Sequence, residues 1–324
     1  MRKIFKDIKK ILQAGDTFLI TTHINPDGDG IGSAFAMDYL LKMLGKKTVI
    51  VCQDSVPHDF AFFGKEWIQY KEGIEIPSFH YVVVLDAPSL QRIGTVGKLI
   101  ANTSNIINID HHISNQSFGK WNIVDPHASS CSEILYTLFQ EMNVSITQEV
   151  ASFLYVAIST DTGSFRYQNI TPMTHTIVAE LIRTGVDVSA LNEQLYSQVP
   201  VGKVKLFALL MNKVQLTCDG TIAWSVLTNE ELAATGAQLS DADGFVNVLR
   251  DIEKVKIAFM VSNVQNPSVI KASLRSKGKY DVNTLAGSFN GGGHAKAAGC
   301  TIKGTVDEVV KKIIHKAKEQ VVQE

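Results

Sequence analysis

His23, Asp27 and Asp29 fall within seven residues, in the stretch HINPDGDGIGS over 23–33. One imidazole and two carboxylates supply the nitrogen and oxygen donors that suit divalent first-row ions. The two aspartates stand two apart on a Pro/Gly-rich turn, so they need not share a face and can serve two different cations. Alone, the segment reads equally well as a polar turn whose Asp or Ser caps the next helix. The same residue types recur, however, at Asp86, at Asp110-His111-His112 and at Asp161. So many carboxylates brought together would repel one another unless cations sat among them. Two ions about 3.5 to 4 Å apart, sharing one carboxylate, can clamp both oxygens of an in-line displacement at phosphorus. The implied reaction is hydrolysis of a phosphate ester or anhydride.

Such a site needs a grip on the substrate phosphate. Arg275, Ser276 and Lys277 offer donors at the end of an expected strand. Gly291, Gly292 and Gly293 let backbone N–H groups approach an anion at the expected start of a short helix, and His294 adds a donor. Glycines alone would mean only a flexible turn; the nearby cations favour recognition. Arg92 and Arg166 are further candidates, set against the ordinary reading of solvated surface arginines.

The elements that must position these groups follow from periodicity. An amphipathic helix is expected over Lys3–Ala14, a strand over Thr17–Thr22, a helix over Ala34–Leu44 ended by Gly45, and a strand over Lys47–Cys52. Tyr81–Leu85 is apolar at every position, as in a strand covered on both faces, and it ends in Asp86. The less purely apolar run Asn105–Ile109 ends in Asp110. Strands that each finish in potential ligands place the loops at one edge of one sheet, where open α/β sheets bind. Ser130 and Glu133 form a capping box opening a helix to about Met142. The helix Gln148–Ser159 runs into Asp161, and helices follow over Met173–Arg183 and Val188–Tyr196. Beyond residue 200 the pattern alternates: a hairpin about Asp219-Gly220, helices near Asn229 and Phe245, strands over Val255–Val261 and Val269–Leu274, and a basic helix over Val306–Val322. The expected fold class is α/β: a parallel-sheet domain over 1–186 with helices on both faces, a linker over 187–200, and a smaller α+β domain over 201–324, with a cleft between them.

Composition bounds the function. With 31 basic and 32 acidic residues in 324, the net charge of −1 gives no field to hold a long polyanion processively. Small anionic substrates remain. The four cysteines form no C-x-x-C pair, which points to a reducing compartment and no zinc knuckle. Apolar runs are too short to span a bilayer, so no membrane partner and a cytoplasmic location are expected.

The set His23-x3-Asp27-x-Asp29, Asp86, Asp110-His111-His112 and Asp161 resembles the DHH phosphoesterase superfamily. Ser273–Lys277 and Gly291–Gly299 resemble the DHH-associated C-terminal domain, and together they are similar to the oligoribonuclease (nanoRNase) and pAp-phosphatase group. The resemblance implies two divalent ions, Mn²⁺ ahead of Mg²⁺ or Co²⁺. His23, Asp27 and Asp86 would hold the first ion, and Asp29, Asp86, His111 and Asp161 the second, with Asp86 bridging. Asp110 would orient an imidazole and His112 would face the scissile phosphate, while Arg275, His294 and the Gly291–Gly293 backbone would grip a terminal phosphate. The implied activity is hydrolysis of short RNA and dinucleotides to mononucleotides and of adenosine 3',5'-bisphosphate to AMP. The runner-up is a phosphodiesterase of cyclic or linear dinucleotides of the c-di-AMP and pApA type. A homodimer is compatible with this reading. A pyrophosphatase would share the first domain's ligands but not the Gly-rich second domain. A nonenzymatic nucleotide sensor would show a gap in the ligand set, and none is missing.

Overall fold

A computed structural model describes residues 2–264 and 268–321. The chain forms two compact units that divide between Gln198 and Val199. The first contains α1 (Arg2–Ala14), β1 (Thr17–Thr21), α2 (Gly28–Met43), β2 (Lys47–Cys52), β3 (Ile68–Gln69), β4 (Tyr81–Leu85), α3 (Val96–Leu99), β5 (Ile106–Asp110), β6 (Trp121–Val124), α4 (Cys131–Met142), α5 (Gln148–Asp161), α6 (Pro172–Arg183) and α7 (Val188–Tyr196). Its strands lie in the order β3-β2-β1-β4-β5-β6, every neighbouring pair parallel.

Alternation along the strands feeds two cores. Phe18 and Ile20 of β1, Val83 and Leu85 of β4, and Ile107 and Ile109 of β5 pack with Leu12, Phe35, Leu138 and Phe153 from the long helices. Leu19, Val82, Val84 and Ile106 point the other way, under Ile93, Val96 and Ile100 of a 3-10 turn and α3. Both faces are thus covered by helix, one thickly and one thinly, which is why these strands read as continuous apolar runs. From β1 the chain winds outward through β2 to β3, then returns to β4 and winds the opposite way. The reversal makes the carboxyl ends of β1 and β4 a topological switch point, where open sheets leave a crevice. His23 leaves β1 there, and Asp86 leaves β4.

The second unit contains α8 (Val201–Asn212), β7 (Gln215–Thr217), β8 (Ile222–Leu227), α9 (Asn229–Thr235), α10 (Phe245–Asp251), β9 (Ile257–Ser262), β10 (Val269–Ser276), α11 (Val282–Gly287), β11 (Gly292–His294), β12 (Ala297–Lys303) and α12 (Val306–Val321). The order is β11-β12-β10-β9-β8-β7, antiparallel except for β8 with β9. Ala272 and Leu274 bury against α11 and α12, whereas Ala258 and Met260 face α8 and α10. No helix among the described residues is long and apolar enough to cross a membrane.

Local readings needed correction. The helix expected over Val188–Tyr196 is α7, whose Val188, Leu191 and Leu195 pack on the first core, and the units divide after it, within the segment 187–200. Gly291–Gly293 with His294 does not open a helix. Gly292–His294 is an edge strand paired with Ala297–Gly299, because three successive glycines have poor helix propensity. The capping box is shifted: Ser130 accepts from the Glu133 amide, but the Glu133 carboxylate accepts from the Ser129 amide and hydroxyl and from Thr174. α8 and the short strands β3 and β6 carry too little periodic signal to be seen in the sequence. Val322, expected in the last helix, lies outside the described residues.

Candidate metal centre

The loop after β1 fixes His23 by its own backbone. Nδ1 donates to the Ile24 carbonyl at 2.9 Å. Nε2 is thereby turned toward carboxylates, 3.6 Å from Asp27 Oδ1 and 3.3 Å from Asp86 Oδ2. Asp27 also caps α2, Oδ1 accepting from the amides of Asp29 at 3.0 Å and Gly30 at 3.2 Å. The cap reading and the ligand reading therefore describe the same residue, since the oxygen that caps α2 is also the one that faces His23. Asp29, fully buried, is held from the far side by the opening of α4. Its oxygens accept from the amides of Cys131 at 2.6 Å and Ser132 at 3.1 Å, and from Ser33 Oγ at 3.2 Å. A helix N-terminus favours such an anion. Even so, burial and then the charge of Asp86 push its carboxyl up to about 7.

Asp86 is central. Its backbone sits in the left-handed region at φ 52°, uncommon for a residue with a Cβ and retained only where the surroundings enforce it. Oδ2 faces His23; Oδ1 lies 3.5 Å from His111 Nε2 and 3.6 Å from His112 Nδ1. Among the described residues that buried Oδ1 has no hydrogen-bond partner. Burial works against its charge, yet the facing imidazoles of His111 and His23 hold this carboxyl far below the usual carboxylate range.

His111 Nδ1 faces the Ala128 carbonyl at 3.3 Å, which sends Nε2 toward Asp86, Asp161 at 3.5 Å and Asp29 at 3.8 Å. Burial resists protonation of His23 and His111, but their carboxylate neighbours prevail and push both up to about 11. Three groups have ligand atoms within 4.8 Å of one another: His23-Asp27-Asp86, Asp29-His111-Asp161 and Asp86-His111-His112. Asp86 belongs to two of them, with one oxygen toward each neighbour.

A donor set of carboxylates and imidazoles with an orphaned buried oxygen fits divalent cations. Cys131, beside Asp29, is not a competing ligand. Burial and then the surrounding aspartates hold its thiol well above the ordinary range, and it donates to the Ile109 carbonyl.

Asp161 reaches the site through a helix seam. A Cβ at Gly28 would lie 2.3 Å from Thr160 Oγ1, and one at Gly32 would lie 2.4 Å from the Phe153 carbonyl oxygen. Only glycine at both positions lets α2 and α5 approach this closely, and that approach sets the start of α2 beside the end of α5.

Two residues that the sequence did not flag support the remaining pair. Asp110 Oδ1 accepts from His112 Nδ1 at 2.7 Å and from the His111 amide at 2.8 Å. Its Oδ2 accepts from the Asn115 side-chain amide, which also donates to Asn108 Oδ1 at 2.8 Å. Asn108 in turn donates to the carbonyls of Val84 and Ala87, either side of Asp86. The available signal was Asn108, the one polar residue in the apolar run 106–109. Asp110 holds His112 by Nδ1, and its bond leads the causes that raise this imidazole's pKa against burial.

The candidate substrate-binding residues are not all alike. Arg92 is drawn to the site: its carbonyl accepts from the Ile24 amide at 2.7 Å and Nη2 lies 3.5 Å from His23 Nδ1. Arg166 is exposed and donates through Nε to the Gly163 carbonyl. In the second unit, Arg275 of β10 and His294 of β11 both stand opposite Ala297 of β12. They therefore share one row and one face of the sheet. Asn247 Oδ1 accepts from Arg275 Nε at 3.0 Å. Ser276, by contrast, is buried with its hydroxyl committed to the carbonyls of Tyr280 and Ala295, and Lys277 Nζ donates to the Ile252 carbonyl. Their side chains hold the unit together.

Switch-point sheet, clustered aspartates and the Asp110-His111-His112 triplet define one class of protein. Residues 17–158 match the DHH family, N-terminal domain, and residues 225–323 the DHHA1 domain. The chain belongs to the DHH family. Over most of its length it is similar to the bifunctional oligoribonuclease and PAP phosphatase NrnA of Thermus thermophilus, at 31% identity over 303 residues, 93% of this chain and 89% of that protein. The protein of the same name from Bacillus subtilis is 28% identical over 293 residues, 89% of this chain and 90% of that one. Among solved structures, an exopolyphosphatase-related protein from Bacteroides fragilis superposes with a TM-score of 0.93 at 28% identity, covering 100% of this chain and 98% of that chain. RecJ from Thermus thermophilus shares the fold, at a TM-score of 0.58 and 10% identity over 55% of its own chain.

Proposed function

We propose that this protein is a two-metal phosphoesterase that hydrolyses very short oligonucleotides to mononucleotides and removes the 3'-phosphate of adenosine 3',5'-bisphosphate. The observation that carries this reading is Asp86, whose two carboxylate oxygens face His23 on one side and His111 on the other. The NrnA relatives carry that pair of activities in their names.

His23, Asp27 and Asp86 would hold one divalent cation, and Asp29, Asp86, His111 and Asp161 the other. The oxygen and nitrogen donor set suits Mn²⁺. When bound, such a pair supplies Lewis acidity at phosphoryl oxygens and lowers the pKa of water. The rest is done by the chain. The Ile24 and Ala128 carbonyls take the Nδ1 side of His23 and His111, so that each Nε2 faces inward and can meet a cation once it gives up its proton. Asp110 takes the Nδ1–H of His112 and so favours the protonated imidazole, which can give its Nε2 proton to the leaving oxygen. Arg92 places a guanidinium beside His23, where it can meet a substrate phosphate, and Arg275 with His294 binds a further phosphate of the substrate.

The test is a panel assay with Mn²⁺: a dinucleotide, a short RNA, adenosine 3',5'-bisphosphate, a cyclic dinucleotide and pyrophosphate. Fastest turnover on the dinucleotide and short RNA, with phosphate released from the bisphosphate, is the expected result. Exclusive turnover of pyrophosphate, or none of any member, would overturn the reading.

A further inference from the structure

Within the first unit, α5, α7 and the turn after α5 border an open cavity of about 680 Å³. That lies in the range of about 300 to 1,000 Å³ typical of small-molecule sites. Its floor is Tyr155 and Ser159 of α5, both buried. Tyr155 and Asn192 line the cavity with Ser159, and Ser159 Oγ lies 3.2 Å from the Tyr196 hydroxyl. The cavity thus presents several hydroxyls and one amide. Phe165 and Tyr196 line the cavity, Tyr196 with 45% of its surface exposed. The one charged residue in the lining is Glu193, and none is cationic.

The turn that supplies Phe165 is unusual. Gly163, Ser164 and Phe165 stand consecutively in the left-handed region at φ 57°, 57° and 60°. Two of them carry side chains, so surrounding bonds must hold the turn. The Ser159 carbonyl accepts from the Ser164 amide at 2.7 Å, and Thr162 Oγ1 from the Phe165 amide at 3.1 Å. The result places the Phe165 ring 6.2 Å from Tyr155 and 5.8 Å from His175. Asp161 lies two residues before Gly163, so one short segment joins the metal centre to the aromatic wall.

We infer that this cavity is a nucleobase site. Its aromatic rings offer stacking faces to a flat heterocycle, and the hydroxyls and the amide offer donors and acceptors to its edge. Without a cation, and with Glu193 present, the lining rejects phosphate. This inference rests on the phosphoesterase reading, because the base is that of a nucleotide whose phosphate lies at the metals.

The test pairs steady-state kinetics on a dinucleotide with calorimetric titration of adenosine, guanosine, cytidine and uridine, using the full chain with Mn²⁺. Tyr196→Ala is expected to raise the dinucleotide KM about 10-fold while changing kcat far less, and to weaken nucleoside binding by a similar factor. Tyr196→Phe keeps the ring and is expected to restore both. An unchanged KM and unchanged nucleoside binding in Tyr196→Ala overturns the site while leaving the phosphoesterase standing. If wild-type protein turns over no nucleotide, the phosphoesterase reading fails. Calorimetry then still decides the cavity, because nucleoside binding that Tyr196→Ala abolishes supports it and equal or absent binding refutes it.

Discussion

The two units solve the problem of holding charge in opposite ways. In the first, carboxylates and imidazoles are buried, oriented by backbone carbonyls and helix amides, and pressed together past what their own charges tolerate. In the second, Arg275 and His294 share one row of a sheet at or near its edge, and Asn247 of α10 accepts from Arg275 Nε. A site that performs chemistry is fixed before substrate arrives, because misplacement of reacting groups by about 1 Å costs about 10²-fold. A site that recognises charge tolerates solvent and looser support. The difference separates what each substitution should do.

Asp86→Ala should have the largest effect. Removing the residue shared by two ligand groups should cost about 10³-fold or more in turnover and reduce the number of Mn²⁺ bound per chain, read by calorimetry. Near-normal turnover would break the comparison at its centre. His112→Gln should lower kcat about 10²-fold with little change in KM or Mn²⁺ stoichiometry; a loss of metal would make His112 a ligand instead. Proton competition is a third handle. His23 and His111 stay protonated up to about 11 in the metal-free protein. A cation that takes Nε2 must displace those protons, so apparent affinity should rise with pH. The slope should be up to about tenfold per pH unit for each proton released, checked by titration in buffers of different ionisation enthalpy; a flat profile would remove both imidazoles from the ligand set. Arg275→Ala should act least, raising KM for a dinucleotide about 10-fold through loss of a charge-assisted bond while Mn²⁺ affinity stays put. An effect on kcat alone would erase the distinction between the two units.

Much of this was legible in the sequence for a physical reason. Strands buried on both faces announce themselves as apolar runs, and a charged residue at the end of such a run, as at Asp86 and Asp110, is conspicuous. The switch point followed from strand order, which no local pattern encodes. Gly291–Gly293 was misread because glycine reports conformational freedom without saying which conformation uses it. Ser276 and Lys277 looked like recognition residues because their types suit phosphate. Their commitment to the carbonyls of Tyr280, Ala295 and Ile252 depends on folded neighbours. Asn108 and Asn115 were overlooked for the converse reason, since an amide carries no charge to draw notice until its partners are known.

The Gly28 and Gly32 seam ties Asp27 and Asp161 to the packing of two helices. The spacing of these carboxylates is therefore a rigid-body quantity, moved by a methyl group far more readily than by any exchange of ligand type. Engineering the centre toward a larger or smaller ion would begin at that interhelical contact, leaving every coordinating side chain as it stands.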